Sequence, residues 1–148
     1  IPALIKKCVD AKESGADHVE VWGTGSASRE YLYVDDAADA IVRAGEVDTT
    51  AEPVNLGADR EVTIKETVET VAQLVGFDGE LRWDPSKPDG QPRRAVDGTR
   101  ASALLGWTPT MDFEQGLQTT IDWYLANRAD AERDPHRHVM SLRADGSR

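Results

Sequence analysis

Cysteine is nearly absent from this chain: Cys8 stands alone, so no internal disulfide can form. Long apolar runs are missing too. None approaches the roughly 20 residues that a helix needs to cross a bilayer, so no membrane partner is expected. No segment with a basic start and an apolar middle opens the chain, and the cytoplasm is the expected compartment. Positive charge is scarce, with 17 Lys and Arg against 27 Asp and Glu and a net charge of −10. That balance repels a phosphate backbone and removes the attraction on which non-specific nucleic-acid binding rests, so no nucleic-acid partner is expected. A small anionic ligand remains open, because a few cations grouped in one pocket set the potential there.

Compact catalytic signatures are lacking as well. The chain has no Gly-x-Ser-x-Gly, no Walker loop and no Tyr-x-x-x-Lys pair. His136 and His138 stand in a polar stretch without cysteines or carboxylates at zinc-like spacing, and His18 is isolated, so no metal is expected. Gly23-Thr24-Gly25 resembles the start of a dinucleotide fingerprint, but that motif must open a helix, and here the pattern predicts a strand next. No residue of this chain is therefore assigned a catalytic role.

What is present is an alternation of helical and extended patterns, which indicates an α/β architecture. Leu4, Ile5 and Cys8 recur at helical spacing after Pro2, predicting a helix over 2–11. Residues 18–22 alternate polar and apolar as a half-buried strand does, and 30–34 read as a second strand. Asp35 and Asp36 are read as caps of a helix ending near Gly45. Residues 53–57 read as a short buried parallel strand, and Thr63 with Glu66 forms a capping box for a helix that stops at Gly76. Residues 81–83 read as a strand, 84–94 as a Pro- and Gly-rich loop of the length that is usually functional, and 97–105 as a short helix. Asp112 caps a last helix with Phe113, Leu117, Ile121 and Tyr124 on its buried stripe. The periodic pattern divides the chain into a domain over 1–127 and a loose polar tail over 128–148. The start at Ile1, not Met, running directly into a helix, suggests a piece of a longer polypeptide.

Ligands of α/β folds bind at strand ends and loops. Arg29 follows the glycine loop and Arg93-Arg94 closes the Pro-Gly loop, where a guanidinium fork matches phosphate oxygens. Trp22, at the end of a strand, is suited to stack on a base. Composition alone leaves these residues equally compatible with ordinary solvated surface.

The segment Val21-Trp22-Gly23-Thr24-Gly25-Ser26-Ala27-Ser28-Arg29-Glu30-Tyr31-Leu32-Tyr33-Val34-Asp35-Asp36 resembles the glycine loop and Arg-Glu-Phe-Leu-x-Val-Asp-Asp stretch of GDP-L-fucose synthases, in the extended short-chain dehydrogenase/reductase superfamily. Trp83-Asp84-Pro85-Ser86-Lys87-Pro88-Asp89-Gly90-Gln91-Pro92-Arg93-Arg94 is similar to that family's Asp-x-Ser-Lys-Pro-Asp-Gly-x-Pro-Arg-Lys loop. Leu105-Gly106-Trp107 and Trp123-Tyr124-Leu125 follow in the family's order, and the resemblance covers roughly 1–127.

The family converts GDP-4-keto-6-deoxy-mannose to GDP-L-fucose with NADPH, by epimerisation at carbons 3 and 5 and reduction at carbon 4. The resemblance implies the C-terminal, substrate-binding part of an extended short-chain dehydrogenase/reductase fold, with the Rossmann half, its NADP(H) site and its catalytic Ser, Tyr, Lys, Cys and His outside this chain. It implies that this chain alone is inactive and that the whole enzyme is a homodimer. Carried over by position, the family's substrate contacts fall on Lys7, Trp22, Arg29 and Asp89, with Arg94 at a further basic position where the family usually has Lys. Arg29 would hold the diphosphate, Trp22 would pack on the nucleotide, and Asp89 would accept hydrogen bonds from ribose or base. Another nucleotide-sugar epimerase or dehydratase, using UDP or dTDP sugars, and a non-catalytic sugar-nucleotide-binding module are the alternatives.

Overall fold

The computed structural model describes residues 1–47 and 52–133, the last two by backbone alone. In chain order it runs α1 (Pro2–Ser14), β1 (His18–Trp22), β2 (Ser28–Glu30), α2 (Val34–Glu46), β3 (Glu61–Thr63), α3 (Ile64–Val75), β4 (Glu80–Asp84), β5 (Arg93–Arg94), α4 (Thr99–Leu105) and α5 (Phe113–Arg133). The strands form two small sheets. In one, β1 and β4 run parallel; in the other, β2 lies between antiparallel β3 and parallel β5.

The main core gathers under the first sheet. Ile5, Cys8 and Val9 of α1, Val19 and Val21 of β1, Val68, Val71 and Val75 of α3, and Leu117 and Ile121 of α5 are all buried in one cluster. The 2-residue period of β1 sends Val19 and Val21 inward and leaves Glu20 and Trp22 exposed. A second cluster sets Ala40 of α2 against Ala101, Leu105 and Trp107, with Leu32, Val54 and Leu56 packed on it.

Helix boundaries follow local chemistry. The Thr63 hydroxyl accepts from the Glu66 N–H at 3.0 Å while Glu66 Oε2 accepts from the Thr63 N–H at 2.7 Å, the reciprocal capping box expected. Gly76 closes α3 in the left-handed region at φ 73°, where a Cβ is disfavoured. Asp112 Oδ1 accepts from the N–H groups of Glu114 and Gln115 and caps α5 as predicted.

Four sequence readings are corrected. Residues 30–34 do not form a strand: β2 covers Ser28–Glu30, because its neighbours β3 and β5 offer partners only that far. Beyond Glu30, Leu32 turns into the second cluster and the Tyr31 ring stacks on Phe113 at 5.7 Å. Residues 53–57 pair with no strand among the described residues, although Val54 and Leu56 pack inward. Asp35 and Asp36 are not caps, since α2 has Tyr33 at its N-cap and no side-chain cap bond. Asp36 is buried and accepts instead from the Thr110 N–H and hydroxyl and the Met111 N–H, at 3.1, 2.9 and 2.9 Å. It ties the start of α2 to the turn before α5. Finally, α5 continues past Asn127 to Arg133, supported by Arg128, whose guanidinium meets Asp10 at 2.5 Å and Glu13 at 2.6 Å on α1. His136, His138 and the rest of the expected tail from 134 onward lie outside the described residues.

Replacing Thr63 by Ala removes the acceptor of the Glu66 N–H, and α3 packs directly into the main core. Thr63→Ala is therefore expected to lower unfolding stability by about 1 kcal/mol, measured by denaturant titration at an unchanged slope. An unchanged midpoint would mean that the capping box contributes nothing to the fold.

Candidate functional site

The glycine loop that leaves β1 and the long loop that leaves β4 lie against each other along their whole length. At one end the Lys87 ammonium sits 5.7 Å from the centre of the Trp22 ring. Next, Asp89 Oδ1 accepts from the Thr24 N–H at 2.6 Å and the Gly25 N–H at 3.3 Å, and its Oδ2 accepts from the Thr24 hydroxyl at 2.7 Å. Then Arg29 Nη1 donates to the Gln91 carbonyl at 2.8 Å and to its neighbour Ser28 at 2.6 Å. The Ser28 N–H donates to the Pro92 carbonyl at 2.8 Å, and β2 and β5 pair beyond it.

Two glycines make this approach possible. Gly23 has φ +85°, and a Cβ there would lie 2.3 Å from Asp89 Oδ1; Gly25 has φ +76°, and a Cβ there would lie 2.7 Å from the Trp83 ring. Side chains at either position would force the loops apart. Gly23-Thr24-Gly25 thus opens a strand, not a helix, and its glycines serve a carboxylate and an indole of the facing loop.

The register of the second sheet sorts the arginines. Ser28 is opposite Arg93 and Arg29 opposite Arg94. Successive side chains of a strand alternate between faces, so Arg29 and Arg94 share one face and Arg93 lies on the other with Ser28 and Glu61. There Arg93 is consumed: its Nε and Nη2 bond Glu61 at 2.5–3.0 Å, and the Ser28 hydroxyl donates to the same carboxylate. These bonds, from Arg93 first, hold the Glu61 carboxyl below the usual carboxylate range. Neither Arg29 nor Arg94 has a carboxylate partner among the described residues. Adjacent strands are about 4.8 Å apart, so two unneutralised guanidiniums sit side by side. They edge a cavity of about 400 Å³ with Leu32, Leu56 and Val96 in its wall, a size that holds a small organic ligand.

Four of the five residues picked from the sequence, Trp22, Arg29, Asp89 and Arg94, are brought together in this strip. Trp22 is 65% exposed, so its ring is open to a stacking partner. Asp89 stands differently from expectation, since its oxygens already hold the glycine loop. Lys7 lies beside the strip. The Glu80 N–H donates to the Asp17 carbonyl and the Gly23 N–H to the Asp84 carbonyl, so odd-numbered residues of β1 face β4 and the Glu20 carbonyl points to the open edge. The Lys7 ammonium donates to that carbonyl from α1. Sequence reading did not single out Lys87 or Glu61. Lys87 carried a signal, as a cation inside a Pro-Gly loop; Glu61, 32 residues from Arg93, carried none.

Among the described residues no group of His, Cys, Asp and Glu could hold a metal, and no helix is long and apolar enough to cross a membrane.

Residues 1–57 match the model of the NAD dependent epimerase/dehydratase family. GDP-L-fucose synthase 1 of Arabidopsis thaliana is 50% identical over 127 residues, covering 86% of this chain and 39% of that protein. GDP-L-fucose synthase of Escherichia coli is 38% identical, covering 86% of this chain and 42% of that protein. The chain is a relative of the GDP-L-fucose synthases. A GDP-L-fucose synthetase from Naegleria fowleri, solved bound to NADP, superposes with a TM-score of 0.80 at 28% identity, over 86% of this chain and 40% of that one. The fold is therefore part of an extended short-chain dehydrogenase/reductase fold, and the chain spans about two fifths of the length of the relatives it matches.

Thr24 hydrogen bonds, first from its hydroxyl and then from its backbone, hold the Asp89 carboxyl below the ordinary carboxylate range. A depressed folded-state pKa stabilises the contact above the unfolded value and is lost as pH falls through the folded one. The Thr24 amide resonance is therefore expected to stay constant from neutral pH through the ordinary Asp range and to shift only below it. Asp89→Ala is expected to abolish that acid transition. A Thr24 amide that titrates at the ordinary Asp value, or identically in the variant, would contradict the clamp.

Proposed function

We propose that this chain supplies the GDP-sugar-binding part of a GDP-L-fucose synthase, whose whole polypeptide converts GDP-4-keto-6-deoxy-mannose to GDP-L-fucose with NADPH. The observation that carries this reading is the pair of unneutralised arginines, Arg29 and Arg94, on one face of the second sheet, with the exposed Trp22 at the other end of the strip. A nucleoside diphosphate needs a cationic cradle for its phosphates and a flat surface for its base, and the strip offers both.

In this reading Arg29 is the principal diphosphate ligand. One of its nitrogens is tied to the Ser28 and Gln91 carbonyls, which orients the guanidinium and leaves Nε and Nη2 for phosphate oxygens. Arg94 adds a second cation across the ladder. Trp22 stacks on the base, and Asp89 keeps the loop between them in shape, with lone-pair capacity left over for a ribose or base donor. Lys7 reaches the open edge of β1 from α1, at the rim where the sugar would emerge.

The described residues do not fit a dinucleotide. Its phosphates need a glycine turn that opens a helix, whereas the glycine loop here runs from β1 into β2. In this reading NADP and the acid, base and hydride-transfer groups belong to other parts of the polypeptide, as do the contacts of a homodimer. This division leaves the chain with binding and orientation of the substrate in a cytoplasmic enzyme.

Calorimetry on the 148-residue chain with GDP, UDP and pyrophosphate tests this. GDP is expected to bind more tightly than UDP, and Arg29→Ala to weaken GDP by about 10- to 100-fold, the loss of a charge-assisted hydrogen-bonded fork. NADPH oxidation with the keto-sugar nucleotide is expected to stay at the level of the buffer blank. Equal affinity for UDP and GDP would favour a general nucleotide-sugar epimerase or dehydratase, and an unchanged GDP affinity in Arg29→Ala would return this arginine to ordinary surface.

A further inference from the structure

Lys87 and the Glu61-bound Arg93 have no part in holding phosphates in the reading above, and of the two only Lys87 lies against Trp22. Its position is nevertheless built. Asp84 ends β4 and its Oδ1 accepts from the Ser86 N–H at 3.0 Å and the Ser86 hydroxyl at 2.6 Å, while the Asp84 carbonyl accepts from the Lys87 N–H at 3.2 Å. These bonds hold the Asp84 carboxyl below its usual range and close a tight turn through residues 84–87. Two residues later Asp89 is pinned to the glycine loop, with Pro88 between, so the backbone of Lys87 is fixed from both sides. The side chain then places its ammonium 5.7 Å from the centre of the Trp22 ring, in no ion pair within 4 Å among the described residues, although it acts on the Asp84 carboxylate from farther away.

An ammonium 5.7 Å from the centre of an exposed indole is attracted to the ring, yet it keeps donors free for an acceptor that arrives at the same place. A base that stacks on the part of the Trp22 ring left open by Lys87 would turn an edge toward this ammonium. Guanine presents two acceptors there, O6 and N7, which lysine and arginine read together; adenine replaces O6 by an amino donor that a cation repels.

We propose that Lys87 is a specificity-determining residue, which selects guanine over adenine by donating hydrogen bonds to the O6/N7 edge of a base stacked on Trp22. The proposal rests on the nucleotide reading of the strip and adds to it the group that recognises the base. It assigns the two ends of the loop different work, with Arg29 and Arg94 gripping phosphate whatever the base, and Lys87 responding to the base whatever the phosphate.

The test replaces Lys87 by Met, which keeps the length of the side chain and removes only the ammonium, at an exposed position where folding is not at stake. Affinities of GDP, inosine diphosphate, ADP and pyrophosphate are measured by calorimetry on the wild-type chain and on K87M. Inosine diphosphate keeps O6 and N7 and is expected to behave as GDP does. Both are expected to weaken by about 10-fold in K87M, while ADP and pyrophosphate change by less than about twofold. 7-Deaza-GDP, which lacks the N7 acceptor, is expected to bind the wild type more weakly than GDP and to lose less on the substitution. An equal loss for all four ligands would overturn the proposal by making Lys87 a phosphate-directed charge, and no loss for any would make it inert. Failure of the wild type to bind GDP at all would overturn the nucleotide reading itself, a result distinct from either.

Discussion

Asp89 reaches 65 residues back along the chain to take the N–H and hydroxyl of Thr24, and the arrangement of the candidate site depends on that contact. It joins the middle of the loop over 84–94 to the loop over 23–27, between the Gly23–Asp84 bond at one end and the Ser28–Pro92 bond at the other. With it, Lys87 is delivered to Trp22 at one end and β5 is delivered to β2 at the other. The carboxylate is charge-assisted in all its bonds, which is why its proton is held so weakly. The requirement for glycine at 23 and 25 follows from the same closeness, because a side chain at either position would occupy the space of Asp89 or of Trp83.

A chain of net charge −10 can still leave Arg29 and Arg94 unneutralised, because several carboxylates are engaged by other partners. Glu61 takes Arg93, Asp10 and Glu13 take Arg128, and Asp36 takes backbone donors before α5. What decides the local potential is strand register. A shift of one residue between β2 and β5 would exchange Arg93 and Arg94 and aim the neutralised arginine at the cavity. The short sheet, only two or three residues per strand, thus does more for the binding chemistry than for stability, which comes mainly from the cluster of α1, β1, α3 and α5.

Much of this was legible in the sequence wherever local chemistry decides the outcome. Helices with a capping box, a left-handed glycine or a clear apolar stripe came out within a few residues, as did β1 and β4. Readings failed where partners decide. Residues 30–34 have strand-forming side chains but no ladder partner past Glu30, and residues 53–57 have the apolar character of a central strand with no strand beside them among the described residues. Asp36 looked like a cap because local preference says so, but a buried carboxylate follows the strongest donors available, and those lie 74 and 75 residues downstream. The pairing of Arg29 with Arg94 and the removal of Arg93 were likewise invisible, since adjacency in a sheet is a property of register and the two arginines at 93 and 94 are indistinguishable as sequence.

That pair of neighbours also provides the sharpest test. The affinity of the chain for GDP is to be measured for Arg93→Ala and for Arg94→Ala under identical salt. If register sets the site, Arg94→Ala weakens GDP by about 10-fold, and Arg93→Ala leaves it within about twofold, because Glu61 already holds that guanidinium on the opposite face. Equal effects of the two substitutions, or a larger effect from Arg93→Ala, would contradict the account.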